Sequence, residues 1–353
     1  MSVMQPKSIT EDCERSTTPV LEKLRPLFGS KLLVTGGSGF LGAWISEIIV
    51  YLNKAHNSQI RLCILDRDKE RFLEQQSHVA RMSNVEFARC DTRSIVDVAH
   101  DIEYVIHAAG TPDSRAHAGN SIDVMTTISE GTSAVLRAVN RVSNLKKFVN
   151  ISSSAVYAIS AKNQPLQEDS PGLELNNKLA NCYAEAKRYS EMLCSAARSE
   201  ARIPALTLRP FTFCGPYQKL DSPWAVNNFI NDALHNRPIR ILGDGNATRS
   251  VMYGSDFAVW VLVLMLHGKS GQIFNIGNPE GVSLKELANT VASLLNPRPP
   301  VLLNTSLTGN VSNSNLVPDV GLAKSEFGLS VFTNTETAIR RTFAWYESKE
   351  KLR

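Results

Sequence analysis

The chain is polar up to about residue 30 and then changes abruptly at KLLVTGGSGFLGAWISEIIVYLN, an apolar β-branched run, a glycine turn and an apolar pattern of helical period. This predicts a strand, a tight turn and a helix. Further short apolar runs recur at IRLCIL (60–65), VEFARC (85–90), EYVIHAA (103–109), KKFVNIS (146–152), PALTLRP (204–210) and QIFNIG (272–277), most of them separated by stretches long enough for a helix. Strands alternating with helices predict an α/β protein built on a doubly wound parallel sheet. After Arg209 the texture changes to FTFCGPYQKLDSPW, and the tail beyond Asn278 carries one amphipathic helix (284–295), a Pro-rich turn and a polar loop. These segments read as a smaller second lobe, interrupted by QIFNIG, which returns to the sheet.

The glycine turn carries the first chemistry. In Thr35-Gly36-Gly37-Ser38-Gly39-Phe40-Leu41-Gly42 the spacing of Gly36, Gly39 and Gly42 suits a tight turn, a close backbone approach to a pyrophosphate, and close helix–strand packing. The following helix N-terminus then faces the anion with unpaired N–H groups. Asp66 closes the next strand, where a carboxylate can accept both ribose hydroxyls of an adenosine and repel a 2′-phosphate. NAD is therefore expected rather than NADP, while the neighbouring Arg67 can serve a 2′-phosphate instead. Asp91, just after the third strand, can bind an adenine amino group or simply cap the next helix.

A second pattern lies in Tyr183-Ala184-Glu185-Ala186-Lys187, which on a helix points a phenol and an ammonium the same way. A free tyrosine, with a pKa near 10, is a poor base at neutral pH. An adjacent ammonium, with the positive nicotinamide ring of an oxidised cofactor nearby, is expected to stabilise its phenolate and lower that pKa. Ser152, Ser153 and Ser154, after a predicted strand, offer hydroxyls to hold a reacting oxygen.

Composition narrows the classes. With 43% hydrophobic residues in 353, the chain can build a large core, and 38 basic against 34 acidic residues form no block that would mark a nucleic-acid site. The six cysteines form no C-x-x-C pair, which predicts reduced thiols and no metal site. The charged N-terminus lacks an apolar signal core, and the longest apolar run (257–266) is about half a membrane span, so a soluble cytoplasmic protein is expected.

Together, TGGSGFLG, HAAG (107–110), SSSAVY, YAEAK, LRPFTFCGP, LGDGNATRSVMYGSD and FNIG resemble the extended short-chain dehydrogenase/reductases, the NAD-dependent nucleotide-sugar epimerase/dehydratase family, over about residues 31–347. The resemblance implies a Rossmann domain (31–208 plus about 250–278), a smaller C-terminal substrate-binding lobe (209–249 plus 279–353) and a polar N-terminal extension (1–30). It implies Ser153, Tyr183 and Lys187 as catalytic residues, and NAD held by Gly36, Gly39, Phe40, Leu41, Gly42, Asp66, Arg67, Asp91, Thr92, Ala108, Ala109 and Lys187. A nucleotide-diphosphate sugar would meet Ser153, Ser154, Thr212 and Arg249, in a homodimer paired through helices around 121–142 and 179–198.

Departures from the family narrow the reaction. Dehydratases resembling this chain carry an Asp-Glu pair where Ser154-Ala155 stand, and the UDP-glucuronate decarboxylases carry Glu at the position of Ala155. What remains is chemistry that needs only Tyr, Ser and NAD: a sugar 4-epimerase, or alternatively an NAD(P)H-dependent keto-sugar reductase. A non-catalytic NAD(H)-binding regulatory protein is the reading from another class. Thr212 stands where many relatives have Asn, and Arg298 is a candidate for a second diphosphate arginine that the polar loop GNVSNSNLVPD lacks. His107, Cys182, Cys214, Trp224, Phe229, Trp260 and Asp256 are expected to be structural.

Overall fold

The structure is a computed structural model that describes residues 5–158, 164–172, 178–304 and 314–351. The apolar runs become β1 (Lys31–Thr35), β2 (Arg61–Asp66), β3 (Val85–Arg89), β4 (Tyr104–His107), β5 (Lys147–Ile151), β6 (Ala205–Pro210) and the strand Ile273–Ile276. They form one parallel sheet in which Ile273–Ile276 is followed by β6, β5, β4, β1, β2 and β3. β1 and β4 are buried at every position, as strands covered by helices on both faces must be. The register sets Thr35 beside Leu65 and His107, and Asn150 beside His107 and Thr207, so the carboxyl ends form one rim. Strand order reverses between β1 and β4, the point at which such sheets open a ligand crevice.

The helices preceding and flanking these strands are α1 (Lys7–Thr17), α2 (Leu21–Leu24), α3 (Phe40–His56), α4 (Lys69–Gln75), α5 (Ser77–Ala80), α6 (Ser114–Gly119), α7 (Ser121–Val139) and α8 (Cys182–Ala201). α7 and α8 pack side by side, and α8 also packs on β5 and β6, whereas α3 pairs with the helix Gly254–His267. That last helix is buried from Gly254 to Met265, which accounts for the long apolar run: a helix apolar all round belongs in a core. No helix among the described residues is long and apolar enough to cross a membrane.

The polar N-terminal stretch is part of this core. α1 sets Ile9 and Cys13 against α3 and Gly254–His267, and Val20, Leu24 and Leu27 continue the same buried line. Asp12 on α1 is 1% exposed, accepts the Tyr253 hydroxyl at 2.7 Å and pairs with Arg341 and Arg15. The extra layer explains why α3 is buried at every position from Leu41 to Leu52.

Outside the parallel sheet, the strand Thr248–Ser250 lies between Gly281–Ser283 and Asn315–Leu316, and Ile239–Leu242 pairs with Val301–Asn304. Asp256, on the helix Gly254–His267, accepts from Phe332 N at 2.8 Å, Thr333 N at 2.7 Å and the Thr333 hydroxyl at 3.0 Å. Burial pushes its carboxyl up to about 6 from 3.8. The native state therefore holds this proton more tightly than the unfolded chain, and stability from this group is lost as pH rises from about 4 through about 6. Asp256→Ala is expected to lower unfolding free energy by about 2–4 kcal/mol at neutral pH, because three donors lose their acceptor. Denaturant titration of parent and variant across that pH range checks both the loss and its sign.

Candidate active site and cofactor crevice

Gly36 follows β1 at φ +70°, and a Cβ there would lie 2.9 Å from the carbonyl of Ala108, so the loop rests directly on the end of β4. A Cβ on Gly42 would run into the backbone of Gly37, so turn and helix approach as closely as backbones can. Gly39 is the N-cap of α3, whose opening turn faces the crevice. The Phe40 ring stacks on Phe213 at 4.6 Å and Leu41 is buried, which leaves their backbone N–H groups as what they can offer an anion. Asp66 reaches back to the loop, where its Oδ2 accepts Ser38 N at 2.9 Å. A loop with no room for Cβ atoms, a free helix N-terminus and a carboxylate at its lip fit a dinucleotide.

The other expected cofactor residues gather at the same rim. Ala108 N donates to Thr35 O at 3.2 Å and Ala109 N to the Thr35 hydroxyl at 3.3 Å. Thr92 lies beneath α7, and a Cβ on Gly131 would lie 2.7 Å from its hydroxyl. Asp91 caps the turn Thr92–Ser94 by accepting Arg93 N at 2.9 Å and is gripped by the Arg93 guanidinium at 3.0 and 2.7 Å. Arg93 holds the Asp91 carboxyl down at about 2. The Arg67 guanidinium turns toward Asp91 as well, at 3.5 Å.

Ser153 follows β5 and caps the turn Ser154–Val156, its hydroxyl accepting Ala155 N at 3.1 Å. Tyr183 and Lys187 occupy the first two turns of α8, 9% and 4% exposed. The fold thus brings Ser153, Tyr183 and Lys187 together: Ser153 hydrogen-bonds Tyr183, and the Lys187 ammonium lies 5.8 Å from the centre of the Tyr183 ring. The protein's own side chains do not on balance lower the phenol. Burial pushes Tyr183 up to about 12 against the Ser153 hydrogen bond, and the Lys187 ammonium donates to the Ile151 carbonyl at 2.7 Å. Burial also brings Lys187 down to about 8, which leaves it mostly charged at neutral pH.

His107 sits 2.8 Å from the Thr35 hydroxyl and 3.1 Å from that of Thr132; burial and the charge of Lys187 push it down to about 3. It is a neutral element of the crevice wall. Outside the parallel sheet, the Arg249 guanidinium donates to Thr248 O, Ser314 O and the Ser314 hydroxyl at 2.8–3.1 Å, and the Thr212 carbonyl accepts Met252 N at 3.0 Å. Arg298 is an exposed charge held by Asn289, and the first part of the polar loop, 309–313, lies outside the described residues. The sequence reading missed Glu191 and Arg209, an ion pair at 2.7 Å beside Ser152 and Lys187. Glu191 stands four residues after Lys187, a spacing that could have flagged it.

The model of the NAD dependent epimerase/dehydratase family matches residues 32–277. The chain belongs to this family. It is 26% identical over 330 residues to UDP-N-acetyl-alpha-D-glucosaminuronate decarboxylase of Bacillus cytotoxicus, covering 91% of this chain and 98% of that protein. It is 27% identical over 273 residues to UDP-glucuronic acid decarboxylase 2 of Arabidopsis thaliana, which covers 76% of this chain but only 58% of the plant protein. Among solved structures, UDP-glucuronic acid 4-epimerase from Bacillus cereus in complex with UDP-glucuronic acid and NAD aligns with TM-score 0.76 and 25% identity, over 91% of this chain and 99% of that one. The family is NAD-dependent, and the nucleotide fingerprint from β1 to Asp66 is this chain's part in that dependence.

Proposed function

We propose that this protein is a nucleotide-sugar 4-epimerase that keeps its NAD bound between turnovers. The observation that carries the reading is the chemistry available at the rim. Ser153, Tyr183 and Lys187 stand together, Ser154 and Ala155 supply no carboxylate, and the nearby Glu191 is occupied by Arg209. A carboxylic acid to assist elimination or decarboxylation is missing at Ser154 and Ala155, although decarboxylases are among the relatives. Bound NAD supplies a hydride acceptor, and in its oxidised form a positive charge, at the sugar carbon. Tyr183 takes the proton of the sugar hydroxyl and later returns it, Ser153 holds that oxygen by hydrogen bond, and Lys187 keeps a positive charge beside the phenol. Arg249 and Thr212 form the lobe side of the substrate site, with Arg249 as the cation for a diphosphate.

A panel of UDP-, dTDP-, CDP- and GDP-sugars tests this reading. Interconversion of C4 epimers by enzyme purified with NAD, without added cofactor, is the expected result. Stoichiometric consumption of added NAD(P)H would replace the epimerase with a keto-sugar reductase. Asp66 should favour NAD(H) over NADP(H), since its carboxylate is fixed at the loop while Arg67 is turned to Asp91. Fluorescence titration with NADH and NADPH checks this, and equal affinities would reject the role of Asp66.

Assembly as a homodimer is part of the proposal. Ile122 and Met125 of α7 and Tyr189 and Met192 of α8 are exposed at 79%, 39%, 54% and 66%, on two helices that pack side by side. Light scattering is expected to give twice the chain mass of 38.8 kDa. A monomer at micromolar concentration would reject it.

A further inference from the structure

α8 grips the end of β5 at three consecutive residues. Lys187 donates to the Ile151 carbonyl at 2.7 Å, Glu191 accepts the Ser152 hydroxyl, and Tyr183 meets Ser153. Tyr183, Lys187 and Glu191 are four residues apart in turn, so one face of one helix makes all three contacts. Glu191 is itself held from β6: Arg209 Nε and Nη2 donate to its two oxygens at 2.9 and 2.7 Å, a bidentate pair with both side chains about one-eighth exposed (12% and 13%). The remaining Arg209 nitrogen donates to the Tyr157 hydroxyl at 3.0 Å and the Glu168 carbonyl at 2.9 Å. Tyr157 in turn donates to Asn275 Oδ1 at 2.7 Å. Two rigid strands therefore decide where the Glu191 carboxylate stands.

We infer that Glu191, clamped by Arg209 and Ser152, is a positioning residue that turns Ser153 toward Tyr183 and keeps Lys187 an ammonium; this rests on the catalytic reading of those three residues. A carboxylate one helical turn from Lys187 favours its charged form and opposes the burial that disfavours it. The other titratable groups facing Lys187 are Tyr183 and Cys194 on α8 and His107 on β4, with Arg209 behind Glu191. His107 is neutral, so Glu191 is the anion that holds the charge in place.

The test uses the full chain. NADH affinity is measured against pH in the parent, in Lys187→Met to identify the limb owed to Lys187, and in Glu191→Gln; kcat and KM are measured on the sugar the panel identifies. Glu191→Gln is expected to move the Lys187 limb down by about one pH unit and to lower kcat about tenfold with KM nearly unchanged. Ser152→Ala spares the ion pair and is expected to lower kcat several-fold without moving the limb, which keeps the test alive if Glu191→Gln does not fold. An unmoved limb in folded Glu191→Gln, or parent kcat in Ser152→Ala, overturns the inference. If Tyr183→Phe and Lys187→Met abolish turnover while those results are obtained, the inference alone fails. If Tyr183→Phe and Lys187→Met keep parent turnover, the catalytic reading fails and takes the inference with it.

Discussion

Tyr183→Phe is expected to lower turnover by about 10²- to 10⁴-fold while leaving NAD affinity within a few-fold of the parent. The substitution removes one hydroxyl and keeps the ring that packs with Val124, Ile128 and Ala186, so the fold should not notice. The hydroxyl is the group Ser153 addresses, and with burial holding it up to about 12 the phenol is protonated throughout the neutral range. In that state it is ready to give a proton to a keto oxygen. To take one it depends on positive charge close by, which the neighbouring ammonium would supply together with an oxidised cofactor. Lys187→Ala should therefore weaken both turnover and NAD binding, and Ser153→Ala, which removes one oriented hydrogen bond, should fall short of the Tyr183→Phe loss. Steady-state rates together with cofactor titration separate the three. If all three variants keep activity close to the parent, Tyr183 and Lys187 are only an ordinary helical pair.

The largest expected effect on stability comes from Glu47→Leu, about 3–5 kcal/mol in unfolding free energy. Glu47 is fully buried in α3, and its two oxygens accept from Gln5 Nε2 at 2.7 Å, Gln76 Nε2 at 2.9 Å and the Tyr217 hydroxyl at 2.7 Å, with His78 Nε2 at 2.9 Å. Because the oxygens accept, the Nε2 of His78 carries a hydrogen. The four donors come from the segment before α1, from the end of α4 and α5, and from the chain beyond β6, so one carboxyl group ties down three parts of the chain. Leucine fills the space but removes the acceptor of the Tyr217 hydroxyl and the partner of His78, and leaves Gln5 and Gln76 with the carbonyls of residue 47 and Ala43. Glu47→Gln, which keeps the shape and one acceptor oxygen, should cost less. Denaturant unfolding of the two variants checks the order; equal losses would show that packing, not the polar cluster, sets the stability.

A similar division runs through the whole molecule. Features encoded over a few neighbouring residues were legible without coordinates, because backbone geometry alone sets where they point. Gly36, Gly39 and Gly42 can serve only a tight strand-to-helix turn, and four residues on a helix place Tyr183 and Lys187 on one side. The central parallel strands were legible for the same kind of reason: a strand buried on both faces must be a short continuous apolar run. The N-terminal layer was not, since Ile9, Cys13, Val20, Leu24 and Leu27 are too sparse among polar neighbours to show a pattern, and only α3 and the helix Gly254–His267 make a surface that buries them. Glu47 and Glu191 looked like ordinary helical acids; their partners lie up to 170 residues away along the chain, at Tyr217, or on a different strand, at Arg209. Tyr183 shows the limit most plainly. Its spacing from Lys187 is a property of the sequence, but whether the ammonium or the surrounding apolar atoms govern the phenol depends on how deeply both are buried and on which way the ammonium turns. Those are sums over atoms from distant parts of the chain, and they exist only once it has folded.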